Sequence, residues 1–297
     1  MKHYKISIHI PFYIDDNYKS RFLVLKKVCK NYLQLSKHAT IFVHTNKFFK
    51  KKLKKIKFIQ HNLESEHPHK LTWKCRKLMY SQKNDFDIFI YGEDDVIFSK
   101  INFKYWLKYK NICNNNNYNL GFLRVEVNKK SKQLYLTDQI SKIKYYVIIN
   151  NNKFAKLESS YSGFWIYCKD EFQKFLKTRY WKFNWKWTTA SGILLLREMS
   201  AIGWHGENLN GQFMNRYKAT VIPLVNKRIH KSSFIKHASN KYANDPAGLY
   251  GTIKINELLS NNIKIFKQYN FFCRVILRLK FKIYSLLRFN LKNLIKH

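Results

Sequence analysis

Residues 5–13 (KISIHIPFY) alternate apolar and polar positions and are rich in β-branched side chains, a pattern that predicts a strand. Apolar residues at helical spacing follow over 20–35, among them Phe22, Leu23, Leu25, Val28 and Leu33, and predict a helix. Residues 39–44 (ATIFVH) and 56–60 read as two further strands. Pro68 suits the first position of a second helix reaching about residue 82, with Leu71, Cys75, Leu78 and Met79 on one face. Residues 87–91 (DIFIY) form a nearly continuous apolar run, as expected of a strand covered on both faces.

The first hundred residues therefore read β-α-β-β-α-β. Such alternation indicates an α/β layer fold with a largely parallel sheet. Beyond it, the pattern predicts a helix at 101–113, an Asn-rich loop at 114–117, and strands near 120–127, 133–136 and 145–149. A strand at 161–167 (YSGFWIY) leads into a helix at 169–177, and another helix follows at 191–202 before a late strand at 219–225. No repeat and no linker is visible. We take residues 1–262 as one catalytic unit and 263–297 as a tail of different character.

Composition narrows the class. With 297 residues, 45% of them hydrophobic and 17% aromatic, the chain can bury a sizeable core. The formal net charge of +38 points toward nucleic acid, an anionic membrane surface or phosphate-bearing substrates. That charge is spread along the whole chain, however, and heavy use of Lys, Asn, Ile, Tyr and Phe is also what a biased genome gives. No nucleic-acid module shows, so no specific nucleic acid is expected. The cysteines, at 29, 75, 113, 168 and 273, are odd in number and far apart, which argues against a disulfide framework or structural zinc. No signal peptide and no membrane span is visible.

Against 56 Lys and Arg the chain has only 18 Asp and Glu, yet Glu93, Asp94 and Asp95 stand together directly after the 87–91 strand. Ligands of open α/β sheets bind beyond the carboxyl ends of strands. Carboxylates there can hold a hard divalent cation, which neutralises a diphosphate. Residues two apart on an extended segment point the same way, so Glu93 and Asp95 can share the ligand side while Asp94 faces the sheet or a neighbouring backbone. The competing reading is an exposed acidic turn that caps the following helix.

A buried strand ending in a D-x-D or E-D-D triplet, after strand, helix, strand, strand, helix, resembles the metal motif and fold of GT-A glycosyltransferases. The resemblance covers residues 4–127, is fainter to about 250 and stops there. It implies a Rossmann-like GT-A fold, with a mostly parallel central mixed sheet flanked by helices. Residues 1–127 would form the nucleotide-sugar half and 128–262 the acceptor half. It also implies a divalent cation, manganese or magnesium, bound by Asp95, with Glu93 on the metal through water or on the donor ribose. Glu stands where the family usually has the first Asp. Such enzymes often add a further ligand, commonly His, from a C-terminal loop; His237 and His230 are the candidates here, and imidazole suits manganese better than magnesium.

Other residues complete the expected site. The helix opening at Pro68 offers an anion-binding N-terminus, with Lys70 and Arg76 as candidate contacts. The donor side then comprises Lys70, Arg76, Glu93, Asp94, His230 and Lys236; the metal side comprises Asp95, Glu93 and His237. Tyr161, Gly163 and Trp165 are candidates for the acceptor side, with aromatics to stack on a sugar and a glycine to admit a backbone. An inverting transferase needs a carboxylate base; Glu198 is the choice and Glu207 its rival.

Residues 266–297 contain no acid, place Arg274, Arg278 and Lys282 on one face and Phe272, Ile276, Leu279 and Ile283 on another. That is a basic amphipathic helix suited to an anionic membrane interface. The sequence thus reads as a nucleotide-sugar-dependent glycosyltransferase on a surface-glycan or lipid-linked acceptor, cytoplasmic and peripheral on the inner membrane face. A basic nucleic-acid-binding protein and a metal-dependent nuclease or phosphodiesterase are the alternatives.

Overall fold

The alternation at the N-terminus does produce a strand, β1 (Lys5–Phe12), and every residue from Ile6 onward in it is buried. It is followed by α1 (Tyr18–Leu33), β2 (His38–Thr45) and β3 (Ile56–Gln60). A 3-10 turn at Pro68–Lys70 then leads into α2 (Leu71–Ser81), and β4 (Ile88–Gly92) comes next. The computed structural model describes residues 3–50, 53–64, 66–178, 180–181, 196–203, 219–245 and 250–266, with single positions at 276, 279 and 283. Strands β3, β2, β1 and β4 lie side by side and parallel, so the predicted β-α-β-β-α-β order is realised. Helix α1 buries Phe22, Leu25, Val28, Cys29 and Tyr32 in one cluster with Ile6, Ile8 and Ile10 of β1. Helix α2 covers the other face, with Cys75 and Met79 against Phe89 and Tyr91 of β4. Two-sided cover explains why β4 is buried along its whole length.

The second half departs more from the expected pattern. It contains β5 (Val96–Ile97), α3 (Lys100–Asn115), β6 (Asn119–Leu120), β7 (Leu123–Val127), β8 (Leu134–Leu136), β9 (Ile143–Ile149) and β10 (Asn152–Lys156). Then come β11 (Phe164–Cys168), α4 (Lys169–Leu176), α5 (Leu196–Ile202), β12 (Thr220–Val225), β13 (Arg228–Ile229), β14 (Phe234–His237) and β15 (Leu259–Ile265). Strand β11 joins the first sheet antiparallel to β4. The single strand expected over 120–127 is split: β6 pairs with β12, while β7 pairs with β14 and β8. The break falls at Gly121, where a Cβ would come within 2.7 Å of the Thr220 side chain, so the chain changes sheets at a point of close packing.

Strand β10 is absent from the sequence reading. It forms because Asn150 and Asn151 both take positive φ (47° and 62°) and close a tight hairpin with β9. A mostly parallel sheet therefore holds for the first sheet alone. In the six-stranded sheet (β13-β12-β10-β9-β15, with β6 branching from β12) and the four-stranded one (β5-β14-β7-β8), antiparallel pairs prevail. The architecture is a mixed α/β fold of Rossmann-like type with two added sheets. One core cluster takes in β1, β2 and β4 together with Val147, Phe154 and Val221, so the two halves share a core. Strand β15 carries the last sheet to Ile265, past the expected boundary at 262.

Among the described residues no helix is long and apolar enough to cross a membrane. Most of the 267–297 tail lies outside the described residues; Ile276, Leu279 and Ile283 are helical and exposed. Cys29, Cys75 and Cys113 are buried free thiols and Cys168 is a half-buried one, while Cys273 lies outside the described residues.

The α2 face of the sheet holds an unexpected polar chain. His9 Nδ1 meets His44 Nε2 at 2.9 Å, and His44 Nδ1 meets His61 Nε2 at 2.7 Å. His9 Nε2 lies 2.8 Å from Ser7 Oγ and 3.1 Å from Gln82 Oε1. Burial pushes His9 down to about 3, and burial with the neighbouring His9 and His61 pushes His44 well below the ordinary histidine range. Both rings are therefore neutral in the folded state. Unfolded histidines bind protons below about 6.5, so stability is full above that pH and falls as pH drops from there toward 3. The expected loss is about 1.4 kcal/mol per pH unit for each histidine at most. Urea midpoints measured between pH 7 and 5 should fall, and less steeply for His9→Gln; equal slopes would remove this assignment.

Candidate active site

Strand β4 ends at Gly92 and delivers Glu93, Asp94 and Asp95 to the carboxyl edge of the first sheet, each with a different partner. Glu93 accepts from Arg124 Nη1 at 3.0 Å and from the Tyr161 hydroxyl at 2.6 Å. Arg124 also grips Asp138 with two parallel bonds, Nε to Oδ2 at 2.9 Å and Nη2 to Oδ1 at 2.7 Å. Gly163 backs this group: its φ is +66°, its carbonyl accepts from Glu93 N at 2.9 Å, and a Cβ there would lie 2.8 Å from Glu93 Oε2. Only glycine meets both demands. Burial raises the Glu93 carboxyl even though the Arg124 charge opposes it. Asp94 takes 2.7 Å from Arg21, which also bonds Asp15 at 3.0 Å. Burial, then the charge of Asp95, raises Asp94 to about 6.

Asp95 meets His237 from the end of β14, Oδ2 to Nε2 at 2.9 Å. The other ring nitrogen of His237 bonds Glu126 Oε1. Burial alone would lower the imidazole, but hydrogen bonds to Asp95 and Glu126 raise it to about 9. Burial alone would raise Asp95, but the bond and charge of His237 hold it at about 2. The second oxygen, Asp95 Oδ1, is buried and has no hydrogen-bond partner. An orphaned carboxylate oxygen beside an imidazole fits a divalent cation, and the mixed oxygen and nitrogen donors suit manganese. Among the described residues no group of three or more His, Cys, Asp or Glu side chains is placed to hold a metal, so the expected set of Asp95, Glu93 and His237 is not assembled, and Glu93 turns to Arg124 and Tyr161 instead. A cation here would complete its shell with water and ligand oxygens.

The three acids line a cleft of about 420 Å³ together with Arg21, Arg197 and Lys241. Arg197 is close enough to Glu93 for each charge to act on the other. Anionic and cationic side chains thus face one volume, an arrangement able to hold a cation and the phosphates it neutralises. The acids do not serve as a helix cap. The N-terminus of α3 is capped by Ser99 in a capping box with Asn102.

The structure brings together Glu93, Asp94, Asp95, His237, Tyr161 and Gly163. Glu198 sits one residue from Arg197, pairs with it at 2.9 Å and leaves its Oε2 buried without a partner. Arg76 does not line the cleft: its guanidinium stacks 3.9 Å from the Trp73 ring and donates to the carbonyls of Tyr180 and Trp181. Lys70 pairs with Glu66 at 3.5 Å. His230 packs on Tyr105 and Tyr109 and accepts from Ser232 N, away from the cleft lining. Lys236 is exposed and precedes His237 on a strand, so its side chain takes the opposite face. Trp165 is 2% exposed and donates to Ser200 O at 3.1 Å, which makes it a core residue docking α5, not a sugar platform. Tyr161 presents its hydroxyl to Glu93 instead of a free ring. Glu207 lies outside the described residues.

Sequence reasoning passed over Arg21, Arg124, Glu126, Asp138 and Arg197. One signal was available: in Leu123–Val127 (LRVEV) two opposite charges stand two apart inside an apolar strand, which places both on one buried face.

No protein-family model matches this chain, and no curated protein is significantly similar to it. Among solved structures it is similar to S. aureus TarS 1-349, with a TM-score of 0.39 and 12% identity over 80% of this chain and 61% of that one. It is also similar to the bifunctional IspDF from Campylobacter jejuni, with a TM-score of 0.32 and 12% identity over 59% of this chain and 43% of that one. The chain thus spans less than two thirds of the length of either. Its functional reading rests on the site itself.

Proposed function

We propose that this protein is a divalent-metal-dependent glycosyltransferase that moves a sugar from a nucleotide-sugar donor to a surface-glycan or lipid-linked acceptor. One observation carries the reading: at the carboxyl end of β4, Asp95 bonds His237 through one carboxylate oxygen, keeps the other without a partner, and lines a cleft with Arg197, Arg21 and Lys241. It agrees with the resemblance of the Glu93-Asp94-Asp95 triplet to the GT-A metal motif. Asp95 and His237 would hold manganese or magnesium, which when bound supplies charge stabilisation to a leaving diphosphate. Arg197 and Lys241 add positive charge where negative charge develops. Glu93, fixed by Arg124 and Tyr161, orients the donor. Glu198 is the candidate base for the acceptor hydroxyl.

The acid-free tail would bind an anionic bilayer, and its described positions Ile276, Leu279 and Ile283 are exposed apolar residues. That would place the enzyme peripherally on the inner membrane face.

The test is thermal unfolding of the full chain with nucleoside diphosphates one at a time, with and without manganese. One diphosphate should raise the midpoint, and only with the metal. At a hundred times the dissociation constant the gain is about 2.7 kcal/mol. No shift with any diphosphate would end this reading.

A further inference from the structure

Strand β7 carries a second carboxylate of unusual setting. The Glu126 side chain is wholly buried, and no Lys or Arg side chain pairs with it among the described residues. Its donors are His237 Nδ1, the backbone N–H of Lys241 at 3.0 Å and that of Ala243 at 2.7 Å. A buried carboxylate is costly unless donors surround it, and here all of them come from one segment. The same segment is clasped further along the strand. Asn240 exchanges two 2.8 Å bonds with the backbone of Val127, and Asn244 Oδ1 accepts from Lys129 N at 2.8 Å. Ser239 and Lys241 of this segment line the cleft.

We propose that Glu126 is a positioning residue: it fixes the His237 ring with Nε2 toward Asp95 and holds the 239–243 segment against the cleft wall. The proposal rests on the metal reading above. An imidazole whose Nδ1–H donates to a carboxylate has a fixed ring orientation. Its Nε2 proton, which faces Asp95 in the metal-free protein, is the one a cation would displace to take that lone pair. Rotating the ring by half a turn would put carbon atoms against both Glu126 and Asp95. Because the carboxylate also binds the Lys241 and Ala243 amides, ring orientation and segment position are set together.

The experiment uses full-length protein and two readouts. Free manganese is followed by electron paramagnetic resonance in the presence of the stabilising nucleoside diphosphate, and amide hydrogen exchange is followed over residues 237–244. In E126Q the manganese dissociation constant should rise about 10–100-fold, and the Lys241 and Ala243 amides should exchange faster. E126D keeps the charge but withdraws it by one methylene and should fall between wild type and E126Q. It decides the same comparison if E126Q does not fold. Wild-type affinity in a folded E126Q, with H237A losing the metal, would overturn the role of Glu126 alone. Failure of the wild-type protein to bind manganese would overturn the metal reading and this proposal together, so the two failures are told apart by which protein is silent.

Discussion

Asp95→Asn should lose the manganese-dependent stabilisation by nucleoside diphosphate and lower sugar transfer by about three orders of magnitude. The substitution keeps the size of the side chain and leaves an oxygen that can still accept from His237 Nε2. It removes the negative charge and replaces one oxygen by an amide nitrogen, which does not ligate a hard cation. In the folded protein Oδ1 is the buried oxygen without a partner, so the loss falls on the atom best placed for the metal. The ligand-free protein should change little in stability, because two effects oppose. The His237 ion pair is weakened, but crowding of three carboxylates is relieved, and the Asp95 charge is among the causes that raise Asp94 to about 6. The check is a pair of thermal melts, with and without nucleotide and manganese, beside a transfer assay. A variant that melts like wild type alone and keeps its nucleotide shift would show that Asp95 holds no metal.

How far the sequence foretold this site depends on which residues lie near each other in the chain. The triplet was legible because it follows a buried strand directly, and position after β4 is a local property. The β-α-β-β-α-β order was legible for the same reason, since each apolar period belongs to one element. Arg124 was hidden because its partners, Glu93 and Asp138, stand 31 and 14 residues away, and only the sheet brings them together. Trp165 and Arg76 looked like ligand groups because aromatic and cationic residues beside a site motif invite that reading. The fold instead buries Trp165 under α5 and encloses Arg76 between tryptophans. The β9–β10 hairpin was missed because Asn150 and Asn151 sit in an Asn-rich chain, where a turn signal does not stand out. The clasp of β7 on the 239–244 segment needed both the split at Gly121 and the parallel pairing of β14 with β7, neither of which periodicity encodes.

Arg124→Met should destabilise the protein by about 3–5 kcal/mol, because it leaves two buried carboxylates without their cation. Arg124 is 5% exposed, and Glu93 and Asp138 are 12% and 8% exposed, so little water can replace the guanidinium. For a protein of this size that loss lowers the melting temperature by roughly 10 °C. Arg124→Lys should recover little of it, since an ammonium cannot serve the two parallel bonds to Asp138 and the third to Glu93 at once. Acid should narrow the deficit. Arg124 then no longer opposes the burial that raises the Glu93 carboxyl, so the folded state binds a proton before the unfolded one does, and the variant gains stability relative to wild type as pH falls through that range. Adding Glu93→Gln and Asp138→Asn to Arg124→Met should restore a good part of the loss, because neutral amides tolerate burial better than unpaired charges. Scanning calorimetry of the four proteins at pH 7 and pH 5 reads all of this. A melting temperature within 2 °C of wild type for Arg124→Met would mean that water or another cation serves Glu93. The same result would remove Arg124 as the support that sets Glu93 at the edge of the cleft.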